Sequence, residues 1–221
     1  MNRKVKIFGI EIQVLSAKET MKRMIKYLET DMINTVEIVS LAMIMKEKDD
    51  EEWREEVEQF DLLIPVDQTL FESSEGLDRN LIKDIENKTF LRMFFRYLQK
   101  NKKTLFLLAE SEESLLRMKN AVKGFGHGLQ VAGEAVLTKE SGLEENVINI
   151  INGIEPDCII SGLSVPYSEQ FIVRNRALLN ARVWIGGVNS LGNKEKRKTF
   201  GKIREFITKK IFHYQVEKEK Q

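Results

Sequence analysis

Polar and apolar positions alternate in "VKIFGIEIQVL", with Gly9 between two short runs, and the pattern predicts a small hairpin. In "SAKETMKRMIKYLE" the period changes to that of a helix, with Met21, Met24, Ile25 and Leu28 on one face. Ser16 and Glu19 have the spacing of a capping box at its start. "NTVEIVSLAM" reads as a strand and a turn, and "DDEEWREEVEQF" as a helix with acids at its amino end, where the helix dipole favours them. "DLLIP" is a short strand stopped by Pro65, and "NKTFLRMFFRYLQKN" is an apolar helix. Strand "KTLFLLA" precedes helix "SEESLLRMKNAVKGFG", which the pattern caps with Ser111 and closes with Gly124. A strand in "GLQVAGEAVL", a helix in "GLEENVINIING" closed by Gly153, strand "PDCIISGL", helix "SEQFIVRNRALLN" and strand "ARVWIGG" complete the series.

This alternation of helices and short, continuously apolar strands predicts an α/β fold. Its sheet is Rossmann-like, doubly wound and mostly parallel, with right-handed crossovers, an N-terminal β-hairpin and a basic C-terminal helical appendage. Residues 1–190 form the predicted domain and 191–221 the appendage. The 221 residues, 42% hydrophobic and 31% charged, suffice for one buried core and exclude a disordered chain. The single cysteine, Cys158, lies in an apolar run and reads as a small buried hydrophobe. No run has the length of a transmembrane helix, and the basic N-terminus lacks a continuous apolar signal core. The expected location is cytoplasmic, with a peripheral position on the inner face of the cell membrane as a further expectation.

The formal net charge of +1 gives no global field that selects nucleic acid. It is unevenly spread: residues 194–221 carry a net of +6, leaving −5 for the rest. Phe200, Ile203, Phe206, Ile207, Ile211 and Tyr214 recur at helical spacing among lysines and arginines. Such a basic amphipathic helix suits either an anionic membrane surface or packing on protein. Lys196, Arg197, Lys198, Lys202 and Arg204 are its candidate membrane or diphosphate contacts.

Ligands of open α/β sheets bind beyond the carboxyl ends of strands, here expected after Val39, Ile64, Leu108, Val131, Leu163 and Ile185. "SGLSVP" and "IGGVNSLGN" supply glycine for close backbone approach. Pro166 fixes the entry to the next helix, while Ser164 and Ser168 suit a cap or a phosphate; an ordinary strand–helix turn uses the same residues. Asp67 has the position of a loop acid or helix N-cap, the plainer reading of the residues alone, and a carboxylate there could also act as a general base. Glu169 falls in the first turn of its helix. His127 and His213 are far apart without a nearby cysteine, so no metal spacing is present, and neither a Walker loop nor G-x-G-x-x-G occurs. No cofactor or metal is called for.

The segment "GLSVPYSEQFIVRNR" resembles the G-L-G-x-P-x-Q-E-x-W-I-x-x-N-R pattern of the WecG/TagA/CpsF glycosyltransferase family, which includes N-acetylmannosaminyltransferases of teichoic-acid synthesis. Gly162, Leu163, Pro166, Glu169, Ile172, Asn175 and Arg176 are in register, with Phe171 at the aromatic position. "RVWIGGVNSLGN" and "DDEEWREEVEQFDLLIP" resemble two further family segments. The departures fall on polar positions at strand ends. Ser164 and Ser168 stand for Gly and Gln, Ser40 for Asn, and Asn189-Ser190 for Phe-Asp. Asp67 lies one place beyond the family's base. Asp84, Asn87, Lys88 and Thr89 stand where the family has an Arg and a G-[ST]-[DE] group, and "GEAVL" offers no histidine where the family has an H-x-G-like turn.

The resemblance implies transfer of a sugar from a UDP-sugar to a lipid-linked acceptor, with Asp67 as base. Ser40, Gly162, Ser164, Pro166, Ser168, Glu169, Gly186, Gly187 and Asn189 would be the nucleotide-sugar contacts. The alternative that the departures imply is an inactive paralogue that partners an active envelope glycosyltransferase. A homo-oligomer, or a hetero-oligomer with such a family member, is the expected assembly.

Overall fold

The computed structural model describes residues 3–71, 79–125 and 128–188. Asn189, the tail residues Lys196, Arg197, Lys198, Lys202 and Arg204, and the whole expected appendage 191–221 lie outside them. The chain opens with the predicted hairpin, β1 (Arg3–Ile7) antiparallel to β2 (Ile10–Val14). Its two turn residues, Phe8 and Gly9, both have positive φ, at 46° and 86°. A tight hairpin needs that sign at both positions, which suits Gly9 and costs Phe8. Burial of Phe8, Ile10 and Ile12 in the core holds this turn in place.

Helix α1 (Ala17–Tyr27) starts at the predicted capping box, with Ser16 and Glu19 satisfying each other's backbone N–H groups. Then follow β3 (Asn34–Val39), α2 (Leu41–Glu47), α3 (Glu51–Glu58), β4 (Leu62–Pro65), α4 (Arg79–Glu86) and α5 (Thr89–Lys100). The order continues with β5 (Thr104–Ala109), α6 (Glu112–Phe125), β6 (Gln130–Val136), α7 (Glu144–Ile154), β7 (Cys158–Gly162), α8 (Tyr167–Asn175) and β8 (Val183–Gly186).

The six strands from β3 to β8 form one sheet in the order β4-β3-β8-β7-β5-β6, and every pairing is parallel. Steps toward the β4 edge pass over one face, through Ile44, Trp53 and Val57, then Ile148 and Ile151, then Phe171 and Ile172. Steps toward the β6 edge pass over the other, through Phe90 and Phe94, then Leu115 and Met118. Face and direction reverse together, as crossovers of a single hand require. The Rossmann-like expectation is met: helices cover both faces of a parallel sheet, and the hairpin joins it beside β4.

Two aspartates tie the amino ends of strands. Asp61 accepts from Thr35 N–H at 2.7 Å and from its hydroxyl at 3.0 Å. Asp157 accepts from Thr104 in the same way, at 2.8 and 3.1 Å, and pairs with Lys103.

Four local expectations need correction. The segment after β3 is a helix rather than a turn, because Ser40 accepts from Met43 N–H and Leu41 and Ile44 are both buried. Gly124 and Gly153 lie within α6 and α7 instead of closing them; Glu155 ends α7 in the left-handed conformation, at φ 51°. Strand β6 runs on past Val131 to Val136, pairing with β5 as far as Ala109.

Candidate active site

At the carboxyl ends of β3 and β4 the fold brings together Ser40 and Asp67, 27 residues apart in sequence. Val66 N–H donates to Val39 O at 3.1 Å, which continues the strand pairing beyond the sheet proper. The half-buried Asp67 then accepts from Leu41 N–H through Oδ2 at 2.7 Å. Ser40 and Asp67 thus satisfy two of the free N–H groups at the start of α2. Oδ1 of Asp67 has no partner among the described residues.

The β7–α8 loop supplies the second wall. The Val165–Pro166 peptide is cis, and Pro166 immediately precedes α8. Ser164 faces outward from this loop. Its N–H donates to Glu110 Oε1 at 2.9 Å, and its hydroxyl donates to the same oxygen. Glu110 follows β5, and the final residues of β5 and β7, Ala109 and Gly162, are register partners. The carboxylate therefore bridges two neighbouring strand ends.

Ser168 and Glu169 point the other way, and both are fully buried. Ser168 Oγ lies 3.2 Å from Ser161 Oγ, which also accepts from Leu163 N–H. Glu169 belongs to a buried group that the sequence reading missed. Glu37, in the middle of β3, is register partner to Gly186 and is also fully buried. A Cβ at Gly186 would overlap Glu37 Oε2, and one at Gly187 would overlap Glu37 Oε1 and Ile38 O. The open space beside the two glycines is filled by the Glu37 carboxyl, and Gly187 also needs its left-handed φ of 69°.

Among the described residues none of the four carboxyl oxygens of Glu37 and Glu169 has a hydrogen-bond partner, nor do the indole N–H groups of Trp53 and Trp184. Burial, and then the neighbouring Glu169, raise Glu37 well above the carboxylate range. Burial pushes Glu169 up to about 7. Its own backbone N–H and the nearby Trp53 indole oppose this, while Glu56 and Glu47 add to it. The helix-start position favours an anion, and burial outweighs it. Both carboxyls are thus held above the usual carboxylate range in the interior, Glu37 on β3 and Glu169 on α8, and the charge of Glu169 acts on Glu37. Glu37 had a signal in the sequence: an acid inside the apolar run "NTVEIV" of a central strand. Glu110 had none, since any polar residue suits that position.

The crevice thus has Ser40 and Asp67 on one side, Ser164 and Glu110 on the other, and Gly186-Gly187 between them at the end of β8. Among the described residues no three His, Cys, Asp or Glu side chains converge as a metal site, and no helix is long and apolar enough to cross a membrane. No curated protein matches the chain at significant similarity. The model of the Glycosyl transferase WecG/TagA/CpsF family matches residues 5–191, a span that includes every strand of the sheet and the whole crevice. With this match over most of its length, the chain belongs to the WecG/TagA/CpsF glycosyltransferase family.

Proposed function

We propose that the chain transfers a hexosamine-like sugar from a UDP-sugar to the hydroxyl of a lipid-linked acceptor. Family membership supports a nucleotide-sugar donor and a separate acceptor. The observation that carries the assignment of the base is Asp67 at the carboxyl end of β4. One carboxylate oxygen is fixed by Leu41 N–H, and the other has no partner among the described residues. A carboxylate held in one orientation is prepared to take a proton from a hydroxyl placed against its second oxygen. The acceptor O–H bond breaks and its proton passes to Asp67. The acceptor oxygen bonds the anomeric carbon, and the bond from that carbon to phosphate oxygen breaks, with UDP taking the electron pair. Ser40, Ser164 and the Gly186-Gly187 turn would contact the donor. The basic residues of 194–221 would hold the protein at an anionic membrane, where a lipid-linked acceptor resides.

The test is transfer from a panel of radiolabelled UDP-sugars to membrane-extracted lipid acceptors. Wild type is expected to turn over and Asp67→Asn to lose at least a hundredfold in kcat, with the fold intact by circular dichroism. Equal turnover by the variant removes Asp67 from the mechanism.

A second reading rests on a different observation. The Ser164 N–H is already taken by Glu110, and Ser168 and Glu169 face the interior. A protein arranged in this way suits a non-catalytic role as the partner of an active envelope glycosyltransferase. That reading predicts co-purification with such an enzyme, and sugar transfer by the isolated wild type would exclude it.

A further inference from the structure

Glu110 stands where an anionic ligand of the β7–α8 loop would stand. Ser164 offers two donors, a backbone N–H and a hydroxyl, at the carboxyl end of a parallel strand and just before a helix. Both are directed at one oxygen of the Glu110 carboxylate. Ser164 itself is exposed and Glu110 half-buried, so the pair lies at the mouth of the crevice, in reach of solvent. Lys46, on this side, pairs with Glu47 and donates to the carbonyl of Val165 at 3.5 Å.

We infer that Glu110 is a specificity-determining residue that keeps a donor's diphosphate off the Ser164 N–H by acting as the loop's own anion, so that this loop faces the sugar end of the donor. The inference rests on the reading of the crevice as a nucleotide-sugar site. A diphosphate that takes the Ser164 N–H must first displace Glu110. It must then sit within a few ångströms of a carboxylate that the chain cannot carry far from Ala109. Charge-assisted hydrogen bonds of this kind are about twice as strong as neutral ones, so the internal carboxylate competes on equal terms with a phosphate oxygen. It is also permanently tethered, which gives it a high effective concentration. Like charges at such separations repel strongly even in a partly aqueous crevice. A neutral or hydroxyl-bearing group meets neither obstacle, because Glu110 can accept from it. Glu110 therefore favours the sugar end of a ligand over its phosphate end at this loop.

Isothermal titration of the full chain with inorganic pyrophosphate and with UDP tests this. Wild type is compared with Glu110→Ala, which empties the position, and Glu110→Gln, which keeps its shape and removes the charge. Both variants are expected to bind pyrophosphate and UDP at least tenfold more tightly than wild type, with Ala equal to or above Gln. Near-UV circular dichroism identifies a variant that has lost its tertiary structure, and the other then decides. Equal affinity in wild type and folded variants overturns the inference, as does an absence of binding in all three. Sugar transfer by wild type without any gain in the variants sinks the inference and leaves the proposed function standing. A gain in the variants without transfer by wild type does the reverse.

Discussion

Replacing Glu169 by Gln removes an ionisable group from the interior and leaves its volume nearly unchanged. Burial raises this carboxyl from its ordinary 4.5 to about 7. Between those two values the folded protein binds more protons than the unfolded chain, so stability falls as pH rises through this window and the full penalty is in place above it. A rise of that size corresponds to about 3 kcal/mol, most of which develops between pH 5 and pH 8.5. Gln carries no such penalty. Glu169→Gln is therefore expected to gain on wild type by about 2–3 kcal/mol from pH 5 to pH 8.5. Any fixed cost of the amide cancels in this comparison. The coupling to Glu37 adds in the same direction, because ionised Glu169 also raises Glu37. Urea denaturation of both proteins at the two pH values measures the difference, with a shared m-value as the check on two-state behaviour. A stability difference that is the same at both values would refute the reasoning, since it would mean that Glu169 titrates alike in the folded and unfolded chains.

Gly186→Ala is expected to destabilise by about 1–3 kcal/mol, because its Cβ overlaps Glu37 Oε2 in a closed interior. Shortening the acid in a Glu37→Ala background should recover most of that cost in chemical denaturation, and an equal cost in both backgrounds would exclude the contact as its cause. Asp157→Ala removes the bonds to Thr104 and Lys103, at a cost of about 1–3 kcal/mol at neutral pH. Burial acts to raise the Asp157 carboxyl, but those bonds outweigh it and hold it below its usual range. Its contribution is thus present at neutral pH and lost as pH falls through the lowered value, so the deficit of Asp157→Ala in thermal denaturation should shrink in acid.

The period of apolar residues was sufficient for the sheet and for most of its helices. Strands such as "TLFLLA" and "DCIISG" are buried on both faces, and a parallel sheet leaves them no other place. Helix α2 escaped because seven residues barely show a helical period, and its Ser40 cap resembles a turn residue. Gly124 and Gly153 misled for a related reason: nothing lies within 4 Å of where a Cβ would sit at either, so each is tolerated inside a helix at modest cost. At the site, the positions of Ser40, Asp67 and Ser164 at strand ends were legible, because the rule for parallel sheets depends only on strand order and direction. Their partners were not. That Glu110 reaches Ser164, or that Glu37 fills the space beside Gly186, depends on register between strands separated by 54 and 149 positions in the chain. The direction of Ser168 and Glu169 was equally hidden, since the first turn of a helix offers both an inward and an outward face.

The position of β8 has a consequence for how the protein is made. This strand lies between β3 and β7, so the two halves of the sheet, β4-β3 and β7-β5-β6, remain separate until residues 183–186 have been synthesised. In the absence of β8 the β3 edge that carries Glu37 has no strand beside it, and a carboxyl open to water is ionised at neutral pH. Insertion of Trp184 and Gly186 both joins the halves and closes Glu37 away from solvent. Closing Glu37 into the sheet therefore takes up a proton wherever the open carboxyl would be ionised, and acidic pH favours that closure over alkaline pH.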